Sequence, residues 1–421
     1  MTIDEGIKLK LLNEELEQCR KSPFYCNRIP QRALSSISEI KNLPFTTKDD
    51  IRNNSPFGLL SVPIKELFQY HETFGTTGVP ASTWLTREDF MDFVSRINEG
   101  QIDFTEEDVV LIRFPYAISS VAHFMHAAVQ AKGACVIPAS SRNTISPFTR
   151  IVSLLKKLNV TVLASLPLQA ILIAETAQMV GLDPQKDFPA LRAVYNGGEA
   201  LPPGKRRLIE ELWNVPVFDN YGMTETGPIA VACKYGNLHP FESRFIIEVL
   251  DDDYKSEVGF GNTGNLVLTT LTRKAEPLVR YVTGDRVRLV HSKCECGKDV
   301  TIEVHGRQQD ILNINNRAID IWDLDDIVYS LGNFRFWVAG PLKDGLKIVA
   351  EQDNRIESIG CEQIGILEGK YGISIQVECV PQGTLHDQSE LLIVGPVGKP
   401  KYIFTEEEME KKAYLDTTKN L

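Results

Sequence analysis

The chain has 421 residues, a net charge of −11 and an isoelectric point of about 5.3, and 43% of its residues are hydrophobic. This length exceeds what one hydrophobic core usually organises, so it predicts two or three domains. The acidic balance, with no basic block beyond Lys205, Arg206 and Arg207, argues against a nucleic-acid-binding protein. The charged, helix-periodic start and the lack of an apolar run of about 18 residues argue against a signal peptide and a membrane span, so we expect a cytoplasmic protein.

The first 60 residues predict helices joined by proline-containing loops. At the end of this region, Thr46 or Thr47 is expected to cap a short helix that begins at Lys48. From about residue 108, helices alternate with the strand-like stretches DVVLIRF, ACVIPA, TVLASLP and LRAVYNGG. This alternation predicts a mostly parallel sheet with helices on both faces, and ligands bind beyond the carboxyl ends of such strands.

Shorter β-rich segments between residues 241 and 304 predict a small antiparallel or barrel-like unit. After HGRQQD the sequence predicts a compact α+β segment, and the final EEEMEKKAYLDTTKNL predicts a charged helix. The predicted fold class is therefore α/β. A large N-terminal domain over residues 1–305 has mostly parallel sheets flanked by helices and a β-rich subdomain at about 241–305, followed by a hinge at 306–309 and a small α+β C-terminal domain at 310–421.

Three polar stretches offer groups for ligand binding or catalysis, and each also has a plain structural explanation. TFGTTGVP offers backbone N–H groups and hydroxyls typical of a phosphate-binding loop, although an ordinary turn has the same composition. YGMTETGP offers a ring for a base, a hydroxyl for a phosphate and a carboxylate for Mg²⁺, or forms a polar loop around a buried tyrosine. Asp285 in RYVTGD either binds a ribose diol or bonds the backbone of its own turn.

Taken in order, TFGTTGVP, NGGEAL, YGMTETG, RYVTGD, HGRQQD and GKPK resemble the motif series of adenylate-forming enzymes over nearly the whole chain. The segment LPFTTKDDIRNNSPFGLLSVP is similar to a leader segment of the phenylacetate–coenzyme A ligase branch. The resemblance implies that a carboxylic acid, aryl or arylacetic, attacks the α-phosphorus of MgATP and releases pyrophosphate. Coenzyme A then takes the acyl group and AMP leaves. It also implies a mobile C-terminal lid domain and suggests a homodimer.

The resemblance further assigns a role to each motif residue. Thr73, Gly75, Thr76, Thr77 and Gly78 would bind the β- and γ-phosphates, Gly198 and Glu199 would line the adenine slot, and Asn220 and Tyr221 would meet the base, with Gly222 as a further cofactor-binding residue. Thr224 would contact the α-phosphate, Glu225 would hold Mg²⁺, Asp285 would bind the ribose with help from Arg307, and Lys399, or Lys401 as its alternative, would steady the charge at the reacting centre. The acyl pocket would be built by Tyr116, Ala117, Ile118 and Ser119, with His123 and Ala193 as further lining.

The chain departs from the family pattern at four positions. Phe74 and Val79 replace a serine and a lysine of the phosphate loop, Gln309 replaces an acidic hinge residue, and Asn316 replaces a glycine. The changes near the hinge fall in elements that would reorient the small domain for thioester formation. The resemblance therefore supports the first half-reaction better than the second. Two alternatives therefore remain: adenylation followed by transfer to a carrier-protein thiol or an amine, and binding of a nucleotide or acyl ligand without turnover.

Three of the eight cysteines and one of the seven histidines suggest a metal site. Cys233 and His239 follow the Thr-Glu motif, and Cys294 and Cys296 lie in SKCECGKD; three thiolates and one imidazole are a typical set for structural Zn²⁺. Some members of the resembled branch carry Cys and His in this arrangement, and His291 is an alternative fourth ligand. The remaining cysteines are expected to be small buried hydrophobic residues.

Overall fold

The computed structural model describes residues 4–73, 79–100, 102–141, 143–343, 345–352, 361–386, 392 and 401–416. The chain divides into two compact units. The first unit comprises Met1–Glu107, Pro115–Val136 and Phe218–Val304, and the second unit comprises Asp108–Phe114, Ile137–Val217 and His305–Leu421. The predicted hinge at 306–309 follows the last change of unit, and its role as a hinge stays a prediction.

The helices and strands are as follows. The helices are α1 (Glu5–Cys19), α2 (Lys48–Asn54), α3 (Arg87–Asn98), α4 (Val121–Ala131), α5 (Phe148–Lys157), α6 (Pro167–Met179), α7 (Pro203–Trp213), α8 (Ile321–Leu331), α9 (Cys361–Tyr371) and α10 (Glu406–Glu410). The strands are β1 (Leu67–Glu72), β2 (Ser82–Thr86), β3 (Val109–Ile112), β4 (Cys135–Pro138), β5 (Val162–Ser165), β6 (Ala193–Gly197), β7 (Val217–Met223), β8 (Gly227–Ala232), β9 (Leu238–Pro240), β10 (Phe245–Leu250), β11 (Thr263–Thr270), β12 (Tyr281–His291), β13 (Val300–Arg307), β14 (Leu312–Ile314), β15 (Arg317–Ile319), β16 (Trp337–Leu342), β17 (Gly345–Gln352) and β18 (Ser374–Pro381). Every helix among these described residues is too short or too polar to span a membrane.

In the first unit, antiparallel pairs dominate the sheets. Strands β1 and β2 form a hairpin, β7, β8 and β9 pair in sequence, and β10, β11 and β12 form the body of the β-rich sheet. Along β12, buried and half-buried residues alternate from Tyr281 to Arg288, as expected for a strand with one face on a core. The antiparallel alternative for the β-rich region is therefore confirmed.

The helix before the hairpin begins where the sequence predicts. Thr47 caps α2: its hydroxyl accepts from the Asp50 N–H at 3.1 Å, and the Asp50 carboxylate accepts from the Thr47 N–H at 2.8 Å. This reciprocal pair satisfies two backbone donors that the first helical turn leaves free. Thr46 is instead buried, and its hydroxyl donates to the Val279 carbonyl at 2.8 Å.

In the second unit, parallel strands confirm the predicted α/β class. Strands β3, β5 and β6 lie side by side in parallel, and each is almost wholly buried. Helix α5 buries Phe148, Ile151, Val152 and Leu155, the spacing of one helical face, in the core that also takes up α6.

The C-terminal segment of the second unit is α+β, as predicted. Strands β16 and β17 are antiparallel, β17 and β18 are parallel, and Ile403 adds a bridge to Ala339 of β16. The predicted long terminal helix is wrong in its length: α10 ends at Glu410, and a short 3₁₀ turn follows at Ala413–Asp416. The cause is Lys412, whose φ of 54° is incompatible with a continuing right-handed helix.

Candidate active site

The YGMTETG motif forms a tight hairpin between β7 and β8 in the first unit. Gly227 has a φ of +68°, and a Cβ atom there would lie 2.5 Å from the Phe93 ring. At Gly222 a Cβ atom would lie 2.7 Å from the Gly227 carbonyl oxygen. Both positions therefore require glycine, and the turn they allow carries Thr224 and Glu225.

Glu225 is a buried carboxylate with two partners. Its side chain is 3% exposed, its Oε1 accepts from the Tyr281 hydroxyl at 3.1 Å, and the same oxygen lies 3.3 Å from Lys48 Nζ. A buried carboxylate is stable only when it is paired or hydrogen-bonded. Lys48, the first residue of α2, supplies the charge. From the sequence only its helix is predicted, although the leader segment TTKDD was an available signal.

Asp285 and Tyr221 meet in the same unit. The Tyr221 hydroxyl donates to Asp285 Oδ2 at 2.7 Å, and the Asp285 N–H donates to Thr283 Oγ1 at 3.1 Å. Gly284, with a φ of +78°, lies between Thr283 and Asp285 in β12. The structure thus joins two motif residues for which the sequence predicted contacts with the ribose and the base.

Asn220 precedes Tyr221 and is 7% exposed. Its Oδ1 atom is buried without a hydrogen-bond partner among the residues that the structure describes. Buried acceptors are rarely left unpaired in folded proteins. An amide oxygen in this state fits a ligand that brings its own N–H donor, such as the amino group of a base.

The phosphate loop is described only at its two ends. Phe74, Gly75, Thr76, Thr77 and Gly78 lie outside the described residues, and so does Lys399. Thr73 closes the neck of the loop: its N–H donates to the Ala81 carbonyl at 2.9 Å, and the Ala81 N–H donates to Thr73 Oγ1 at 3.0 Å. Val79 is 67% exposed.

Histidines hold the loop predicted to build the acyl pocket. His71 Nδ1 lies 3.2 Å from the Ile118 carbonyl oxygen, and His123 Nε2 lies 2.9 Å from the Tyr116 carbonyl oxygen. Burial lowers the pKa of His71 to about 4, so its ring is neutral at pH 7. Ile118 has a φ of 60° and is exposed, as is Ala117. From the sequence, His123 is predicted to line the pocket, whereas no contact is predicted for His71.

The predicted residues of the second unit lie at different ends of β6. Gly198, with a φ of +83°, and Glu199 directly follow its carboxyl end. Ala193 is instead the first residue of β6 and is fully buried, which argues against its predicted place in the acyl pocket because ligands bind beyond the carboxyl ends of parallel strands.

Arg307 ends β13 and is exposed, and Lys401 Nζ forms an ion pair with Glu408 Oε1 at 2.6 Å.

The four predicted metal ligands converge in the first unit. The candidate ligand atoms of Cys233, His239, Cys294 and Cys296 all lie within 4.8 Å of one another. Cys233 Sγ is 3.7 Å from Cys294 Sγ, and Cys296 Sγ is 3.2 Å from His239 Nε2. These separations suit ligands of one tetrahedral ion with bonds of about 2.0–2.3 Å. His291 is not part of the cluster; it stacks on Phe260 with the ring centroids 3.7 Å apart.

Comparison with known proteins adds relatives of known activity. The model of the AMP-binding enzyme family matches residues 69–271. The phenylacetate-coenzyme A ligase of Thermus thermophilus is 28% identical over 75% of this chain and 73% of the relative. That of Escherichia coli is 27% identical over 68% of this chain and 65% of the relative, so the chain spans slightly less than two thirds of that enzyme's length.

Solved structures of low sequence identity show the same fold. A 2-hydroxyisobutyryl-CoA ligase in its postadenylation state aligns with a TM-score of 0.84 at 19% identity, covering 99% of this chain and 92% of that chain. The anthranilate CoA ligase AuaEII aligns with a TM-score of 0.55 at 16% identity, covering 75% of this chain and 64% of that chain. The motif series, the family match and the curated relatives lead to one conclusion: the chain resembles the adenylate-forming superfamily, and within it the phenylacetate–coenzyme A ligase-like branch.

Proposed function

We propose that the protein is an AMP-forming acid–thiol ligase. It activates a carboxylic acid, aryl or arylacetic, with ATP and transfers the acyl group to the thiol of coenzyme A. The observation that carries this proposal is the pairing of Tyr221 with Asp285 beside the buried, charge-compensated Glu225, which gives two motif regions one polar site in the first unit. The phenylacetate ligase relatives support the acid class.

In this proposal the first unit binds the nucleoside. Asp285 accepts from the ribose hydroxyls while Tyr221 keeps its carboxylate oriented through the 2.7 Å hydrogen bond. Asn220 Oδ1 accepts from the amino group of the base, which satisfies its buried acceptor. Gly222 belongs to the same motif, and its lack of a side chain allows the close approach to the Gly227 carbonyl. The roles that the resemblance implies for Gly198, Glu199 and Arg307 of the second unit stay predictions.

The phosphates meet the hydroxyl and amide groups of two loops. Thr73 and the residues from Gly75 to Gly78 bind the β- and γ-phosphates, and Thr224 contacts the α-phosphate. The carboxylate of Glu225 and the hydroxyl of Thr224 are hard oxygen donors of the kind Mg²⁺ takes. When bound, Mg²⁺ supplies positive charge that offsets the charge of the phosphates. Lys48 holds the Glu225 carboxylate in place at 3.3 Å.

The acid lies against the loop formed by Tyr116, Ala117 and Ile118, which His71 and His123 fix by their bonds to backbone carbonyls. A lysine near the C-terminus then offsets the negative charge that grows as the acid's carboxylate attacks the α-phosphorus. We assign this role to Lys399, because Lys401 is already paired with Glu408. The bond from phosphorus to the pyrophosphate oxygen breaks, and the acyl-adenylate remains.

The cysteine–histidine cluster is assigned to structural Zn²⁺. Its donor set of three thiolates and one imidazole leaves no open position for a substrate. His239 Nδ1 lies 2.6 Å from the Val300 carbonyl oxygen, so the N–H on this nitrogen leaves Nε2 free to bind metal. The ion would join β9, which holds His239, to the turn before β13 and so stabilise the β-rich sheet.

The proposal is tested by acid-dependent exchange of labelled pyrophosphate into ATP, with a panel of aryl, arylacetic and aliphatic acids. We expect exchange with aromatic acids and consumption of the adenylate when coenzyme A is added. Carrier protein and amines, added next in place of coenzyme A, test the other acceptors. No exchange with any acid, together with no binding of ATP or AMP by calorimetry in the presence of Mg²⁺, would overturn the proposal.

A further inference from the structure

Lys205, on the first turn of α7, is buried in the second unit although no motif includes it. Its side chain is 3% exposed, and its Nζ atom lies 4.1 Å from the centre of the Tyr402 ring. Burial lowers the pKa of Lys205, and the negative charges of Glu199 and Asp325 act in the opposite direction. A buried ammonium of this kind needs compensation. The Tyr402 ring and the two carboxylates provide it.

Asp325 of α8 fixes the backbone that carries this lysine. Its carboxylate accepts from the Gly204 N–H at 2.8 Å and from the Lys205 N–H at 3.0 Å, and so caps α7 from another helix. Tyr329, one turn further along α8, packs on Gly204 so closely that a Cβ atom there would lie 2.6 Å from its ring. The position of Lys205 is therefore set by contacts that do not depend on its own side chain.

Tyr402, in turn, precedes Ile403, which forms an isolated bridge to Ala339 of β16. The Ala339 N–H donates to the Tyr402 carbonyl at 2.8 Å, and the Phe404 N–H donates to the Ala339 carbonyl at 2.9 Å. The Tyr402 ring also lies 5.1 Å from the Trp337 ring. Its hydroxyl is buried without a hydrogen-bond partner within the described part of the chain. The polar contact of Tyr402 described here is therefore the one between its ring face and Lys205 Nζ.

We propose that Lys205 is a positioning residue for adenylation: through Tyr402 it anchors the segment that carries the reacting lysine. This inference rests on the proposed function. Lys399 stands three positions before Tyr402, and three residues of chain span at most about 11 Å. The contact with Lys205 therefore anchors the chain three positions after Lys399 in the sequence. Glu199, assigned to the adenine slot, is the second carboxylate whose negative charge acts on Lys205.

The test compares Lys205→Met with Lys205→Arg. Methionine keeps the length and apolar stem of the side chain, and the Asp325 cap remains because its donors are backbone groups. A desolvated cation–π contact of this type is worth a factor of roughly 30 in rate when it is lost. We expect Lys205→Met to lower kcat for pyrophosphate exchange by about that factor, with KM for ATP and for the acid unchanged. Lys205→Arg should restore most of the rate.

Tyr402 provides a second route to the same contact. Tyr402→Phe keeps the ring face and should exchange at nearly the wild-type rate, whereas Tyr402→Leu should be as slow as Lys205→Met. The double variant Lys205→Met with Tyr402→Leu should be no slower than the slower single variant, because both remove one interaction. Lys186→Met, at a lysine whose side chain is 81% exposed, is the matched control and should leave the rate unchanged.

A third measurement does not depend on turnover. Amide hydrogen exchange should be faster at Phe404 and its neighbours in Lys205→Met and Tyr402→Leu than in the wild type, with α5 and α6 unchanged as internal references. If wild-type protein shows no acid-dependent exchange, the proposed function fails while this readout still decides the anchor. Wild-type rates in Lys205→Met, failure of arginine to rescue, or unchanged amide protection near Phe404 would each overturn the inference.

Discussion

Lys399 and Lys401 are two positions apart in the sequence, and the contacts of Lys401 distinguish the roles that we assign to them. Lys401 Nζ is held by Glu408 at 2.6 Å and lies over the Phe404 ring. We therefore expect Lys399→Ala to lower the rate of adenylation by roughly 100- to 1000-fold, as the loss of a group that stabilises developing charge usually does. Lys401→Ala should cost less than about tenfold. Pyrophosphate exchange measures both, and a larger loss in Lys401→Ala would reverse the assignment.

Asp285 offers a second test at the level of one atom. Asp285→Asn keeps the shape of the side chain and removes the negative charge of the carboxylate that accepts from Tyr221 and, in the proposed site, from the ribose. Hydrogen bonds to charged groups contribute about 1.5–3 kcal/mol, so KM for ATP should rise roughly tenfold or more. Tyr221→Phe removes only the orienting bond and should have a smaller effect. Unchanged ATP affinity in Asp285→Asn, measured by calorimetry, would remove this residue from the nucleotide site.

His71 gives the stability of the protein a specific pH dependence. Its folded pKa of about 4 lies below the usual value of 6.5, so the unfolded chain binds more protons between these two pH values. The contribution of neutral, buried His71 to the free energy of unfolding is therefore complete above pH 6.5. It is lost as pH falls toward 4, by about 3 kcal/mol at most. His71→Gln keeps a donor for the Ile118 carbonyl and does not titrate. The stability difference between wild type and His71→Gln, from urea unfolding at several pH values, should shift against the wild type from pH 7 to pH 4.5; a constant difference would contradict the assigned burial.

Sequence reasoning at this scale identified residue types better than partners. The chemistry of Glu225 and Asp285 follows from their motifs, but the contacts with Lys48 and Tyr221 depend on how distant segments pack. For Ala193 the strand is predicted well, whereas its place in the acyl pocket stays a prediction. Its position at the start of β6 argues against that place, because a shift of a few residues along a strand moves a side chain from the ligand end to the far end.

At the scale of elements, α2 presents Lys48 to Glu225 through its capping box. Thr47→Ala removes the hydroxyl that accepts from Asp50, and we expect the free energy of unfolding to fall by about 1 kcal/mol. KM for MgATP should rise as well, because the first turn that carries Lys48 becomes less ordered. Thr47→Ser keeps the cap and should behave like the wild type. Urea unfolding and exchange kinetics report the two effects, and a Thr47→Ala protein as stable as Thr47→Ser would contradict the capping role.

Most elements were predictable because local patterns decide them. The cap at Thr47, the buried face of α5 and the parallel strands β3, β5 and β6 all follow from residue spacing and composition. The end of α10 at Glu410 was not predictable, because the acidic and basic residues favour a helix equally well on either side of Lys412. A left-handed residue without glycine leaves no signal in the sequence.

At the scale of the whole molecule, the chain passes repeatedly between the two units, so each unit is assembled from three separate segments. Such an assembly does not follow from motif order, and the predicted domain over residues 1–305 stays a prediction. Neither unit can be isolated as a single stretch of chain. Stability must therefore be measured on the full protein, with a probe that reports on one unit.

The cysteine–histidine cluster is such a probe, because all four ligands belong to the first unit. We expect one equivalent of zinc in the purified protein by elemental analysis, and its loss in the variant with Cys294→Ser and Cys296→Ser. Metal binding to a folded site contributes to folding, and each 1 kcal/mol lost lowers Tm by roughly 2–4 °C in a unit of this size. The double variant should therefore melt several degrees lower by calorimetry. Cys135→Ser, at an exposed cysteine outside the cluster, controls for loss of a thiol and should melt with the wild type. Wild-type protein without zinc, or equal melting of the double variant and the control, would show that the four side chains meet without holding a metal.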